Sequence, residues 1–559
     1  MSRDPSLPAR TTSGASHGRA LLLALLSGLL ALSFGAGIAA ANPPPGQSTL
    51  FFSPSASGGC GDGQISGIGE SSAPGQPSAS PITMSPSNSP FFQPPGGYDT
   101  ASGLYAGGMA ATPWGTGFGG IMFEQLSSQV YFTNTCSGSS QQLLAACYSA
   151  SGYGSVGSAG QLTVCGSGEQ YGTPLPWPVW IAWQAPAGQS VGRGVAIDAT
   201  RNLLYFATMS GCSGGTTCQT VNLWVAGTAG SWGDTLTPTL VGQLSGNWSA
   251  DYLAVDPVTR RLFLLGTNSR EVISVPAAGG GSQSVLISGG SLVSGTVTGI
   301  GVDPSTSMVY VLSAQQGSEP NQIAQVPETG CCATSLFSGG AVGNSSESIG
   351  LAVDPANGVA VWANSPAGSS PKGLANTISW GPLDATGATT YGWTGAPNAS
   401  DAAYVQALTI AGGLGTCQGA DNGGTYNYPC PATSVAAAGT TATASSSGSV
   451  VIPLTAYVVG GTGAGATSKA SMQVSTGRVT GPMTVTVRDR RRAGRSARTY
   501  ATLRPGFSVA PNTRVARRVT LPATALPSLR RGDLEVQVRT RPAGTGQRWR
   551  TRVLRVVRR

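Results

Sequence analysis

One pattern of apolar and polar positions recurs through the middle of the chain. Each copy starts with small or apolar residues, continues with an acidic residue, usually a proline and a short polar turn, and ends in an apolar or aromatic run. Apolar runs on both sides of a turn are typical of two buried strands joined by a hairpin. The acids that mark the five copies are Glu124, Asp198, Asp256, Asp303 and Asp354.

The spacing of the copies predicts the architecture. The acids are 74, 58, 47 and 51 residues apart, and such an interval holds about four strands with their loops, which is one propeller blade. A sixth blade is predicted from residues 404–410 through 450–454. The pattern therefore predicts an all-β fold with a six-bladed β-propeller over residues 101–458. Further strands of the blades are expected at residues 222–225, 272–276, 285–287, 322–327, 335–337 and 377–380.

The repeats resemble those of a known group of propellers. The segments LAVDPVTRRLFLL, GIGVDPSTSMVYVL and GLAVDPANGVAVWA, at residues 253–265, 299–312 and 350–363, are similar to repeats of the six-bladed NHL, YWTD (low-density-lipoprotein-receptor-like) and TolB-like type. The tyrosine and tryptophan of the YWTD motif are only approximated. The resemblance implies a fold class and leaves the function open, because one propeller fold hosts many functions.

A different pattern begins near residue 466. Apolar residues alternate with arginine and other polar residues over 483–488, 534–539 and 548–553, which predicts half-buried strands with the arginines on the wet face. The segment resembles the small Arg-rich β-sandwich modules that end many exported actinobacterial proteins. We therefore expect a basic β-sandwich-like domain at 468–559, after a Gly-rich linker at 459–467.

Composition supports short strands and turns. The 559 residues include 82 glycines and 38 prolines, and only 9% are charged. Residues 42 to 100 are rich in proline, serine and glycine with little periodicity, so an irregular lead-in is expected there. Charge is divided: residues 42–465 carry 6 Lys and Arg against 18 Asp and Glu, whereas residues 466–559 carry 22 against 3. The net charges of the two parts, −12 and +19, therefore need separate explanations.

The N-terminal residues have the pattern of an export signal. Three arginines precede the apolar run 20–34, and small residues end at Ala41. We predict a Sec-type signal peptide at residues 1–41 that is cleaved after Ala41, and a secreted or otherwise extracytoplasmic protein. The alternative is an uncleaved anchor, since residues 20–41 are just long enough to cross a bilayer.

The numbers of cysteines and histidines indicate which kinds of bond and catalytic group the mature chain can form. Ten cysteines remain after the signal, and an even number in an exported chain indicates disulfides. Local bridges are expected between Cys212 and Cys218 and between Cys417 and Cys430, and the adjacent Cys331 and Cys332 should bond to different partners. The sole histidine, His17, lies in the signal. The mature chain would therefore lack the commonest general base and the commonest zinc ligand.

The repeat acids have two interpretations. An aspartate followed by proline makes a turn, because the carboxylate accepts from nearby backbone N–H groups and proline presets the bend. Carboxylates from successive blades could also converge on a calcium ion at the propeller axis. We expect structural turn acids, no catalytic residue and no cofactor, with calcium as the alternative.

The C-terminal arginines also have more than one interpretation. They could form a solvated face that aids solubility, or could dock on the acidic propeller. They could bind an anionic wall polymer or lipid headgroups. Sparse aromatic residues among them argue against nucleic acid. The anionic-surface candidates are Arg490, Arg491, Arg492, Arg550, Arg552, Arg558 and Arg559.

These features predict an exported, non-catalytic β-propeller that serves as a binding or scaffold protein of the cell envelope or extracellular space. Its partner would be a protein or an envelope polymer. The alternative is an extracellular lactonase-like or lyase-like enzyme that uses carboxylates, with or without a metal, at the axis of the same propeller.

Overall fold

The structure is a computed structural model, and all the residues that it describes lie in one compact unit, Pro43–Arg559. The signal peptide predicted at residues 1–41 lies outside the described residues. The described residues are 49–55, 65–69, 82–85, 91–93, 97–99, 106–112, 127–134, 142–150, 162–164, 179–212, 218–229, 234–248, 251–266, 270–288, 295–314, 321–330, 333–338, 342, 348–355, 358–364, 377–383, 391–393, 404–411, 414–421, 424–430, 433–458, 478–490, 497–543 and 549–558.

The body of the protein is a β-propeller with at least five blades. Four successive sheets each have four antiparallel strands in sequence order. Their strands are β11 (Ser190–Asp198), β12 (Leu203–Cys212), β13 (Cys218–Gly227) and β14 (Thr239–Trp248); β15 (Leu253–Asp256), β16 (Arg261–Leu265), β17 (Glu271–Pro276) and β18 (Ser284–Ser288); β19 (Thr296–Asp303), β20 (Met308–Ala314), β21 (Gln322–Pro327) and β22 (Thr334–Ser338); and β23 (Ser348–Asp354), β24 (Val359–Asn364), β25 (Thr377–Pro382) and β26 (Tyr391–Trp393).

Three further sheets come from the remaining strands of the body. One has the order β27-β1-β2-β3, one has the order β5-β4-β10-β8-β7-β6 with β9 attached to β8, and one is the pair β28–β29. These strands are β1 (Thr49–Ser55), β2 (Ile65–Gly69), β3 (Ile82–Ser85), β4 (Phe91–Gln93), β5 (Gly97–Asp99), β6 (Ala106–Ala111), β7 (Ser127–Asn134), β8 (Gln142–Ala150), β9 (Leu162–Val164), β10 (Val179–Gln184), β27 (Tyr404–Ala411), β28 (Leu414–Asp421) and β29 (Gly424–Cys430).

The hydrophobic core of the body lies between neighbouring sheets. The first strand of each regular sheet contacts the first strand of the next, so β11, β15, β19 and β23 are the inner strands. Buried side chains of each blade pack against those of its neighbour in separate clusters, such as the one that joins Tyr205 and Leu223 to Leu262 and Ile273. Strands buried on both faces are therefore almost continuously apolar, as the repeat pattern indicated.

Two assignments in the body are corrected by the strand pairing. Residues 42–100 were expected to be irregular, but β1 to β5 lie there, and β1 pairs along its length with β27. The predicted sixth blade joined residues 404–410 to 450–454, whereas the structure pairs the first of these segments with β1 and places the second in the C-terminal sheet. The sequence did not reveal β1, because a strand that pairs with one more than 340 residues away needs no local hairpin signal.

The C-terminal part is a nine-stranded sheet around a hydrophobic core of its own. The sheet has the order β30-β32-β31-β38-β37-β33-β34, with β35 paired to β33 and β36 paired to β32. The strands are β30 (Thr433–Ala437), β31 (Thr441–Ala444), β32 (Ser449–Val458), β33 (Val479–Asp489), β34 (Thr499–Leu503), β35 (Gly506–Val509), β36 (Thr513–Thr520), β37 (Leu534–Thr540) and β38 (Arg550–Arg558), with a 3-10 turn (Ala523–Ala525) and a helix, α1 (Leu526–Arg531), before β37.

The boundary between body and C-terminal domain is therefore earlier than the sequence suggested. β30 to β32 belong to the C-terminal sheet, so this domain begins near residue 433 and not at 468. The Gly-rich segment 459–467, expected as a linker between domains, instead joins β32 to β33 within one sheet; the segment itself lies outside the described residues. Residues 432–465 carry no charged side chain, so the new boundary leaves the net charges of the two parts unchanged.

Among the residues that the structure describes, no helix is long and apolar enough to cross a membrane.

Candidate functional site: the acid face of the propeller

Four of the repeat acids lie at the same end of four inner strands. β11, β15, β19 and β23 end in Asp198, Asp256, Asp303 and Asp354 respectively. All four side chains are buried. Because inner strands of successive blades run side by side, these carboxylates lie on one face of the disc, which we call the acid face. Glu124, the acid of the degenerate copy, lies outside the described residues.

One oxygen of the acid makes the turn that sequence analysis expected. Asp256 Oδ1 accepts from the backbone N–H groups of Val258 and Thr259, at 2.6 and 3.1 Å. Asp303 Oδ1 accepts from the N–H and hydroxyl of Ser305, at 3.0 and 2.6 Å. Asp198 Oδ1 accepts the same two bonds from Thr200. The acid recurs because the turn recurs.

The fourth residue after each acid completes the turn in the left-handed backbone region. Asn202, Arg260 and Ser307 have φ angles of 54°, 56° and 53°, and Gly358 has a φ of 66°. Only the last copy uses glycine, which reaches this region without a steric penalty.

The other carboxylate oxygen reaches outward from the turn. Asp198 Oδ2 is 2.7 Å from Arg201 Nη1, and the same guanidinium donates to Pro257 O at 2.9 Å in the neighbouring blade. Asp303 Oδ2 accepts from Arg550 Nη2 at 2.7 Å. Arg550 lies on β38 of the C-terminal domain, so this second pair joins the two parts of the protein.

The Arg550–Asp303 pair is buried on both sides. The side chain of Arg550 is 3% exposed and that of Asp303 is 0% exposed. Arg550 Nη1 also donates to Pro355 O and, at 3.4 Å, to Ser434 Oγ. An ion pair removed from water stabilises a structure only if its charges keep hydrogen bonds, and Nη1 and Nη2 of Arg550 have three acceptors between them.

Other contacts extend this interface. Gly439 N donates to Thr306 O at 2.7 Å, and Ser434 Oγ donates to Ser305 Oγ at 3.0 Å. Arg514 of β36 donates to Ser307 Oγ. The turns after β19 and β23 are thus covered by β30, β36 and β38 of the C-terminal domain. The basic domain docks on the acidic propeller, one of the roles that its charge suggested.

The four aspartates of the acid face all affect the pKa of Tyr457, which lies near the end of β32. Burial raises its pKa well above the usual value, and the negative charges of Asp198, Asp256, Asp354 and Asp303 raise it further. Its phenol therefore stays protonated and neutral at physiological pH. The charges of all four carboxylates thus act on one uncharged side chain of the C-terminal domain.

A second carboxyl group accompanies Asp256. Glu328, in the turn after β21, has its pKa raised to about 10, first by burial, then by a hydrogen bond to Asp256 and by the charge of that residue. Thr259 and Arg514 act in the opposite direction. The structure shows no hydrogen-bond partner for the buried oxygens Asp256 Oδ2 and Glu328 Oε1. One proton shared between the two carboxyl groups would satisfy both oxygens, and the raised pKa makes Glu328 the group that holds it.

Of the seven arginines predicted to form an anionic-surface site, the structure shows some exposed and some buried. Arg490 and Arg558 are exposed, whereas Arg491, Arg492 and Arg559 lie outside the described residues. Arg550 and Arg552 are buried, which removes them from the predicted surface site. The alternation along β38 was assigned in the wrong phase: residues 550, 552, 554 and 556 point inward. Leu554 and Val556 set that phase because they belong to the domain core.

Sequence reasoning missed Arg201, Glu328, Tyr457 and Arg514 at the acid face. Arg201 lies three residues after a repeat acid, which could have marked it as a turn partner. The other three come from separate blades or from the other domain, so no local spacing could indicate them. Within the described residues, no group of three or more Asp, Glu, Cys or His side chains is placed to hold a metal ion.

Gly358 provides a test of how tightly Arg550 is held. A Cβ atom at Gly358 would lie 2.9 Å from Arg550 Nε, whereas a Cβ at Gly188, which also has a positive φ, would meet nothing within 4 Å. We expect Gly358→Ala to lower the free energy of unfolding by about 2–4 kcal/mol, and Gly188→Ala by about 1 kcal/mol, the cost of backbone strain alone. Denaturant titration measures both. Equal losses would mean that Arg550 does not occupy this position.

The known proteins that resemble this chain do so in their fold and not in their sequence. No protein-family model and no curated protein sequence matches the chain. TolB from Acinetobacter baumannii is similar over 65% of this chain and 66% of its own, with 10% identity and a TM-score of 0.34. A chain of a nidogen/laminin complex is similar over 51% of this chain and 98% of its own, with 13% identity and a TM-score of 0.30. An exo-β-1,3-galactanase from Phanerochaete chrysosporium has 10% identity and a TM-score of 0.29 over 83% of this chain and 97% of its own. The protein is therefore described by its own architecture, an almost all-β chain with a β-propeller arrangement.

Proposed function

We propose that this chain is an exported, non-catalytic β-propeller that acts as a binding or scaffold protein of the cell envelope or extracellular space. The observation that carries the proposal is the buried Arg550–Asp303 pair. It means that the protein's own C-terminal domain covers part of the face where the propeller gathers its carboxylates. A partner would then bind elsewhere on the molecule.

The alternative, a lactonase-like or lyase-like enzyme with axial carboxylates, fits these contacts less well. A substrate at Asp303 would have to displace Arg550, and a metal there would meet its positive charge at 2.7 Å from the same oxygen. Breaking a buried ion pair costs about 3–5 kcal/mol, which substrate binding would have to offset.

A closed six-bladed ring is part of the same proposal. β27 contacts β6 and β23, and β6 contacts β11, so the sheet β27-β1-β2-β3 is suited to be the blade that closes the ring between the two ends of the body. Export to an oxidising compartment would allow the proposed disulfide between Cys212 and Cys218, which are direct cross-strand neighbours in β12 and β13. Cys417 lies opposite Tyr428, two positions from Cys430, so that proposed bridge would be diagonal.

Three measurements on the mature full-length chain separate the two functions. We expect no stoichiometric calcium in the purified protein and no hydrolysis of aldonolactones above background. The full chain should also co-sediment with isolated cell envelopes and be released by salt, because exposed arginines act over a Debye length of about 10 Å at 0.1 M. Bound calcium that is lost on Asp256→Asn, together with lactone turnover, would establish the enzyme instead.

A further inference from the structure

The outward side of the C-terminal sheet carries an unusual combination of residues. Large exposed hydrophobic side chains are few in the described residues: Leu240, Val285, Val553 and Val557. Two of these four, Val553 and Val557, are 43% and 42% exposed and lie four positions apart on β38. Successive side chains alternate across a strand, so both valines and Arg555 between them point to the same side. That side faces away from the domain core.

The strand register extends this side over four neighbouring strands. Val557 lies opposite Thr443 of β31, Thr443 opposite Val451 of β32, and Val451 opposite Arg518 of β36. In the other direction, Thr551 of β38 lies opposite Arg539 of β37. We call this surface the outer face, defined by Arg518, Val451, Thr443, Val557, Arg555, Val553 and Arg539.

The charged residues that define the outer face are all arginines. Glu535, which lies opposite Arg555 on the neighbouring strand, is paired with Arg488 at 2.6 Å. Neither Arg518 nor Arg555 forms an ion pair with a described residue, and both are exposed. The domain has a net charge of +19 and the body has −12. An anionic surface would therefore attract the domain and not the body.

We propose that the outer face binds an anionic lipid bilayer through its phosphate headgroups. Arginines supply bidentate donors to the phosphates, and the valines between them supply apolar contact with the interfacial region below. A soluble polyanion would use the arginines but gain little from exposed valines, so the valines favour the lipid surface. The inference rests on the proposed binding role and names the partner of the outer face.

The test measures binding of the full mature chain to vesicles of phosphatidylglycerol and phosphatidylcholine. Arg518, Arg539 and Arg555 are replaced together by Gln. The matched control replaces Arg478, Arg498 and Arg504 by Gln, which removes the same charge from exposed positions of the same domain outside the outer face. We expect about a hundredfold weaker binding for the first triple, at about five-fold per arginine, and a loss within about five-fold for the control.

The valines are tested separately, so that the result does not depend on charge or on the folding of one variant. Val553→Ser with Val557→Ser should weaken vesicle binding about three- to ten-fold, and should leave binding to soluble polyphosphate unchanged. Val285→Ser, at the exposed valine of β18 in the body, is the control and should have no effect. Thermal unfolding of each variant checks that it is folded.

Three outcomes would overturn the assignment. Equal loss in both arginine triples would mean that only total charge matters. An unchanged affinity of the valine variant, with polyphosphate bound as tightly as vesicles, would identify a soluble polyanion as the ligand. Envelope binding without vesicle binding would also reject the lipid surface, while the proposed binding role would stand.

Discussion

Replacement of Arg550 by Met is expected to lower the free energy of unfolding by about 3–5 kcal/mol. The substitution keeps most of the side chain's volume but leaves the carboxylate of Asp303 buried without its counter-charge, and that isolated charge is the main cost. Denaturant titration of the full chain measures the loss. The first unfolding transition should move to lower denaturant, because the interface between the C-terminal domain and the propeller is weakened.

Two controls separate the ion pair from a general effect of charge. Arg558→Met, at an exposed arginine eight residues further along the same strand, should change stability by less than about 0.5 kcal/mol. Addition of Asp303→Asn to Arg550→Met should recover at least half of the loss, since the amide oxygen can still accept from Ser305 while the buried charge is gone. A loss below 0.5 kcal/mol for Arg550→Met would show that the domains are not held by this pair.

Stability is expected to fall as the pH rises across the neutral and alkaline range, because of Glu328. Its pKa is raised to about 10 in the folded protein, from an ordinary value of 4.5. Between these values the folded state holds one proton more than the unfolded state. The stabilisation is thus fully present below pH 4.5 and is lost as the pH approaches 10, at up to about 1.4 kcal/mol per pH unit.

Glu328→Gln isolates this proton. The amide can donate to Asp256 Oδ2 without being protonated, so the difference in unfolding free energy between the variant and the parent should grow in favour of the variant from pH 6 to pH 9. Denaturant titrations at four pH values in this range measure that difference. Asp256→Asn should reduce the pH dependence as well, because it removes the nearby charge that raises the pKa of Glu328. A difference that does not change with pH would mean that Glu328 is ionised in the folded protein.

The repeat was readable from the sequence because its causes are local. A hairpin forms wherever an apolar run is followed by an acid, a turn residue that donates to that acid two positions later, and a second apolar run. The strands expected at 272–276, 322–327 and 377–380 were likewise found, in β17, β21 and β25. The all-β class and the propeller arrangement are confirmed for the same reason. The repeat acids form the expected turns at Asp198, Asp256 and Asp303.

Tertiary structure alone decided which segments belong together and which side of a strand faces inward. β1 and β27 are more than 340 residues apart, and neither carries a signal that names its partner. In β38 both faces offered plausible core residues, and the core contacts of Leu554 and Val556 turned Arg550 inward toward Asp303. The long-range pairing thus converted a turn acid into an interdomain ion pair, because the second oxygen of a carboxylate is free to bind whatever the fold brings to it.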